Sequence, residues 1–147
     1  TLNYKTRFIE LAGELNAEMP EFWVRKVVDA LNEQGKAVRG SRVLLLGVAY
    51  KKNIDDIRES PALDVIRLLH QRGAQISYHD PHVPTLKEDG ISLASQPLTA
   101  ETLRAVDCTM IITDHDAVDY QLVQRHSRAT VDTRHVLIRV AKKGTRE

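Results

Sequence analysis

Four short stretches of the chain carry side chains that could hold or transform a ligand. The first runs from Gly47 to Ala62 and places Lys51, Lys52 and Arg58 ahead of Ser60-Pro61. Ser is a favoured helix N-cap and Pro suits the first helical position, so this stretch should end in a helix start. Cationic side chains, free first-turn amides and the helix dipole would together attract an anion, and a phosphate-bearing ligand suits them. Asp55, Asp56 and Glu59 lie in the same stretch, so a solvated loop whose acids pair with its bases accounts for the composition equally well.

The second and third stretches are His79-Asp80-Pro81-His82 and Asp114-His115-Asp116, and the fourth is Asp132-Thr133-Arg134. His and Asp at such spacing are metal-ligand types, but at strand ends they serve mainly as turn formers and caps, and no metal is expected. Cys108 sits in the apolar run Cys-Thr-Met-Ile-Ile, where a desolvated thiol is inert, so it reads as core and no catalytic residue is assigned. Trp23 reads as packing.

These stretches need elements to position them. Val43 to Leu46 is a continuous apolar run ending at Gly47, as expected of a parallel strand covered on both faces. A helix from Ser60-Pro61 to Gly73 follows, then a strand over Gln75 to His79, a helix over Leu98 to Val106, a strand over Cys108 to Thr113, a helix over Tyr120 to His126 and a strand over Ala129 to Asp132. Residues 84–97 have no clear pattern. The alternation predicts an α/β fold, a Rossmann-like doubly wound parallel sheet in three α/β/α layers. Ahead of it, apolar residues at Phe8, Leu11, Leu15, Met19, Phe22, Trp23, Val27 and Leu31 form one helical stripe, which Pro20 should kink or restart. A boundary near residue 38 divides this helical part, 1–38, from the sheet part, 39–147.

In open parallel sheets ligands bind beyond the carboxyl ends of the strands, which is where all four stretches would lie. The loop from Gly47 to Glu59 is long for such a connection. An ordinary dinucleotide-binding unit would use Gly47 for its turn and Asp80 for a ribose, but Gly47-Val48-Ala49-Tyr50-Lys51-Lys52 keeps only the first glycine of the fingerprint, and Tyr50 would block a pyrophosphate from the backbone.

Composition narrows the classes further. The 147 residues carry a net charge of +1 without any run of like charge, which points to neither nucleic acid nor a membrane surface. A single cysteine excludes an internal disulfide, and no window is apolar enough for a spanning helix, so a cytoplasmic protein is the default. The opening Thr-Leu-Asn-Tyr-Lys, without an initiator Met, reads like part of a longer protein.

The motifs resemble the C-terminal, UDP-binding domain of the UDP-glucose/GDP-mannose dehydrogenases. The resemblance rests on Gly47-Val48-Ala49-Tyr50-Lys51, then Asp56-Ile57-Arg58-Glu59-Ser60-Pro61-Ala62, and continues through Tyr78 to Pro84, Ile112 to His115 and Asp132-Thr133-Arg134. Thr6 to Ala12 is similar to the end of the helix of the family's central, dimerising domain. What the resemblance implies is a UDP-sugar substrate oxidised at C6 to its uronic acid by two hydride transfers to NAD, through an aldehyde held on a cysteine in a Gly-Gly-Ser-Cys-type loop. Cys108 matches no such loop, so these residues by themselves should be inactive, with NAD held mainly by an N-terminal domain and the full enzyme a homodimer. By the same resemblance Tyr50, Lys51 and Arg134 would bind substrate and Arg58 would reach NAD, its planar fork suiting a pyrophosphate. Arg7 would be either a substrate contact or a surface ion pair with Glu10 or Glu14. The His-Asp-Pro-His-Val-Pro stretch is most similar to enzymes of UDP-N-acetylhexosamines in polysaccharide synthesis, and UDP-N-acetylglucosamine is the expected substrate. The alternative is a stand-alone, non-catalytic nucleotide-binding or dimerisation module.

Overall fold

A computed structural model describes residues 19–88 and 90–138 of the chain. Four parallel strands form the sheet: β1 (Arg42–Leu46), β2 (Gln75–His79), β5 (Cys108–Ile111) and β6 (Thr130–Asp132), in the order β2-β1-β5-β6. Helix α1 occupies residues 19–33, and α2 (Pro61–Gln71), α3 (Ala100–Ala105) and α4 (Tyr120–His126) follow. Strand and helix alternate as expected, and the fold is the α/β class read from the sequence.

The period of two along β1 sorts its side chains between two cores. Val43 and Leu45 pack with Val24, Val27 and Leu31 of α1 and with Val65, Ile66 and Leu69 of α2. Leu44 and Leu46 pack on the other face with Leu103 of α3 and Val123 of α4. Helices therefore cover both faces, which is why the strand sequence is apolar throughout. The stripe of α1 differs in detail from expectation: Val24 is fully buried, whereas Phe22 is 42% exposed, with the cations of Arg25 and Lys26 over its ring. The part of the stripe before Met19, and so any kink at Pro20, lies outside the described residues.

The stretch 84–97, without a clear pattern in sequence, contains an antiparallel hairpin of β3 (Thr85–Glu88) and β4 (Ile91–Ala94). Four-residue strands are too short to establish a period, and only Leu86 among their residues is fully buried. The hairpin rests against the outer edge of β2 through a bridge between Tyr78 and Ser95.

Helix α2 begins and ends as its sequence requires. Ser60 caps it by accepting the amide of Ala62, and Gly73, at φ 88°, closes it with amide bonds from Gly73 to His70 and from Ala74 to Leu69. Among the described residues no helix is long and apolar enough to cross a membrane.

Candidate functional site

The chain leaves β1 toward β2 on one side and returns to β5 on the other, so the carboxyl ends of β1 and β5 form the switch point where open α/β sheets bind ligands. The loops there are 47–60 and 112–119. Gly47 makes the first turn at φ 84°, and a Cβ on it would lie 2.2 Å from the carbonyl oxygen of Thr113, so glycine is required twice over.

Beyond Gly47 the loop is tied inward. Asp80, at the end of β2 and only 2% exposed, accepts the amides of Val48 (2.8 Å) and Ala49 (3.2 Å) on Oδ2. The same oxygen accepts Nε2–H of the fully buried His115 at 2.9 Å, and Oδ1 accepts the His82 amide at 2.8 Å. The other ring nitrogen of His115 accepts the Asn53 amide at 2.7 Å. Asn53 and Asp116 then exchange two further bonds, side-chain amide to carboxylate and backbone amide to side-chain oxygen. Asn53 takes φ 64°, a conformation Asn tolerates better than most residues. Thr113 Oγ1 donates to the Ala49 carbonyl at 2.7 Å, and Tyr120 donates to the His115 carbonyl at 3.0 Å.

The two His/Asp stretches thus meet, but as a hydrogen-bonded clamp. Asp80 has its carboxylate filled by four donors and cannot serve a ribose, which removes the dinucleotide reading. The His82 ring lies against that of His115, with centroids 4.6 Å apart. Among the described residues no group of three or more His, Cys, Asp or Glu is arranged to hold a metal ion. Sequence reasoning found both stretches but missed their pairing and missed Asn53. The available signal was Asp at the end of one strand and His beyond the end of another, one strand removed.

The cations face outward. Lys51 is exposed, meets no carboxylate among the described residues, and lies with Nζ 5.7 Å from the ring centroid of Tyr50, itself 42% exposed. Lys52 stands 4.0 Å from Asp116. Arg58 forms a forked pair with Asp56, both bonds 3.1 Å, with its side chain 81% exposed. That pair holds the Asp56 carboxyl below its usual range, the hydrogen bond to the Arg58 side chain contributing most, and raises Arg58 in turn. Arg134 follows β6, donating Nε–H to the carbonyl of Ile112 at 3.0 Å beyond the end of β5, while its amide bonds Asp132. Tyr50, Lys51, Arg58 and Arg134 are therefore all at the carboxyl end of the sheet, and Arg7 lies outside the described residues.

One expectation needs correction. The amides at the start of α2 are not open to an anion: the Ala62 amide is taken by Ser60 Oγ, the Leu63 amide by the Ser60 carbonyl, and Pro61 has none. Positive charge at this site comes from side chains. Cys108 is fully buried, and burial, then the nearby charge of Asp107, push its thiol up to about 12, far from a nucleophilic thiolate.

The sheet order and the glycine turn define a parallel α/β domain whose outward cations gather at its switch point. Residues 44–139 match the UDP-glucose/GDP-mannose dehydrogenase family, UDP binding domain, and the chain belongs to that family. A UDP-N-acetyl-D-mannosamine dehydrogenase of Methanococcus maripaludis is 31% identical over 141 residues, 89% of this chain and 31% of the relative. A UDP-glucose 6-dehydrogenase of Rhizobium meliloti is 30% identical over 150 residues, covering 95% and 33%. The crystal structure of an NDP-N-acetyl-D-galactosaminuronic acid dehydrogenase from Methanosarcina mazei aligns at TM-score 0.66 with 28% identity, covering 80% of this chain and 24% of that one. The chain spans about a third of the length of the curated relatives it matches.

Proposed function

We propose that this chain is the substrate-binding part of an NAD-dependent dehydrogenase that oxidises the C6 hydroxyl of a UDP-N-acetylhexosamine to a carboxylate. The carrying observation is that the matched UDP-binding segment, 44–139, contains the whole clamped loop and the outward Lys51. Lys51 is assigned to the diphosphate as a point charge, and Tyr50 to packing against the ligand with its exposed ring. Arg134, tied through Nε to a strand-end carbonyl, is held in place for a further anionic or polar contact.

NAD, when bound, accepts the hydride. Arg58 fits a pyrophosphate because the pair with Asp56 uses Nε and one N–H of Nη2, leaving the other guanidinium N–H bonds for a ligand. The nucleophilic cysteine and most of the NAD site are assigned to polypeptide outside these residues, since Cys108 is buried in the sheet. Arg7 is assigned to substrate, with the boundary near residue 38 separating its helical part from the sheet part.

The acetamido class is favoured over glucose by the His79 to Pro84 stretch, and relatives named for N-acetylmannosamine and N-acetylgalactosaminuronic acid support it. Between epimers, UDP-N-acetylglucosamine remains our proposed substrate and UDP-N-acetylmannosamine the competitor. Assay of NADH formation by the full-length enzyme with both sugars, UDP-glucose and GDP-mannose tests this. Turnover of a UDP-N-acetylhexosamine well above the other two classes is expected; turnover confined to UDP-glucose or GDP-mannose would refute it.

A further inference from the structure

We infer that His115 is a positioning residue for the nucleotide-sugar loop, bridging two anchors that bracket Tyr50, Lys51 and Lys52; the inference rests on the binding role proposed above for that loop. The Asn53 amide can only donate, so His115 Nδ1 accepts and the ring proton resides on Nε2, where it is donated to Asp80. Asp80 uses the same oxygen for the Val48 and Ala49 amides. One neutral imidazole thereby connects the start of the exposed segment, through Asp80, to its end at Asn53. Within the segment the Tyr50 amide is donated at 2.6 Å to the carbonyl of Asp56, beyond the second anchor.

The ring is well placed for this because its bond to Asp80 is shielded from water. His115 is fully buried and Asp80 is 2% exposed, so that bond cannot be exchanged for a solvent bond without opening the loop, while the bond to Asn53 is partly buried. The Tyr120 hydroxyl bonds the His115 carbonyl, and the His82 ring lies against the imidazole at a tilt of 55°. Among the described residues Lys51 meets no carboxylate, its ammonium lying 5.7 Å from the Tyr50 ring centroid, so its direction follows the backbone between Ala49 and Asn53. A loop set by its own turn residues would need no such ring.

The test uses H115F, which keeps an aromatic ring but loses both bonds, and H115Q, whose amide can supply a donor and an acceptor. Amide hydrogen exchange in the full-length protein reads the anchors, and calorimetric titration with UDP reads the consequence. In H115F the Asn53 amide should exchange at least roughly tenfold faster and UDP affinity should fall about tenfold, the size expected when a partly buried donor loses its acceptor. Exchange at Leu44 and Leu45 should hold, and H115Q should recover part of both losses. Unchanged Asn53 exchange would overturn the bridge, and faster exchange with unchanged UDP affinity would overturn the positioning role. Absence of UDP binding in the unsubstituted protein would instead overturn the binding role on which both rest. Should H115F unfold, the 15N spectrum of the wild-type ring decides: protonation at Nε2 supports the bridge and protonation at Nδ1 overturns it.

Discussion

The two ends of this sheet are each organised by an aspartate, and they use it in opposite ways. At the amino end Asp107 accepts the Arg42 amide at 2.9 Å and pairs with Lys36, which leaves it partly exposed and consumes the cation beside it. At the carboxyl end Asp80 is buried without a cation and is satisfied by three backbone amides and a neutral imidazole. Among the described residues Lys51 meets no carboxylate, Arg58 pairs with Asp56 through Nε and Nη2, and Arg134 donates Nε–H to the Ile112 carbonyl. An aspartate satisfied by amides and a histidine fixes a loop without neutralising that loop's basic side chains. An ion-paired one fixes a corner and uses its cation up.

The largest effect should come from removing each aspartate in turn. Asp80→Ala strands two buried amides and the His115 Nε2–H, and should cost about 3 kcal/mol or more of unfolding free energy. Asp107→Ala removes a partly solvated pair and should cost about 1 kcal/mol. Denaturant titrations of both variants measure the difference, and equal losses would break the comparison.

A smaller effect sharpens it through pH. The Arg42 amide, then the bond from Lys36, lower the Asp107 carboxyl below its ordinary 3.8. Because the folded value lies below the unfolded one, this stabilisation is complete above the ordinary range and is lost as pH falls through the lowered folded value. Asp107→Asn should therefore flatten the decline of stability below about pH 4 in urea titrations run across acid pH. An acid limb as steep as the wild type's would contradict the assignment.

Much of this was legible in the chain itself, for identifiable reasons. The run Val43 to Leu46, the Ser60-Pro61 start and the Gly73 stop are local signals, and the β1, α2 and β2 assignments follow from them. The Gly47 turn was legible as a strand end, while its contact with Thr113 depends on a residue far along the chain. The hairpin at 85–94 escaped because short, half-exposed strands leave no period to detect. The clamp escaped for a related reason: Asp80, Asn53 and His115 come together only through the strand order, and each alone looks like a turn former. The expected open amides at the start of α2 failed because the capping that identifies a helix start also occupies its donors.

The most direct measurement is calorimetric titration of UDP into the wild-type protein, Lys51→Ala and Lys36→Ala, the two lysines standing at opposite ends of the sheet. UDP should bind the wild type and Lys36→Ala alike, and Lys51→Ala about tenfold more weakly, the scale of one charge-assisted contact to phosphate. Equal affinity in all three, or a loss confined to Lys36→Ala, would contradict the assignment of the carboxyl end to the nucleotide sugar.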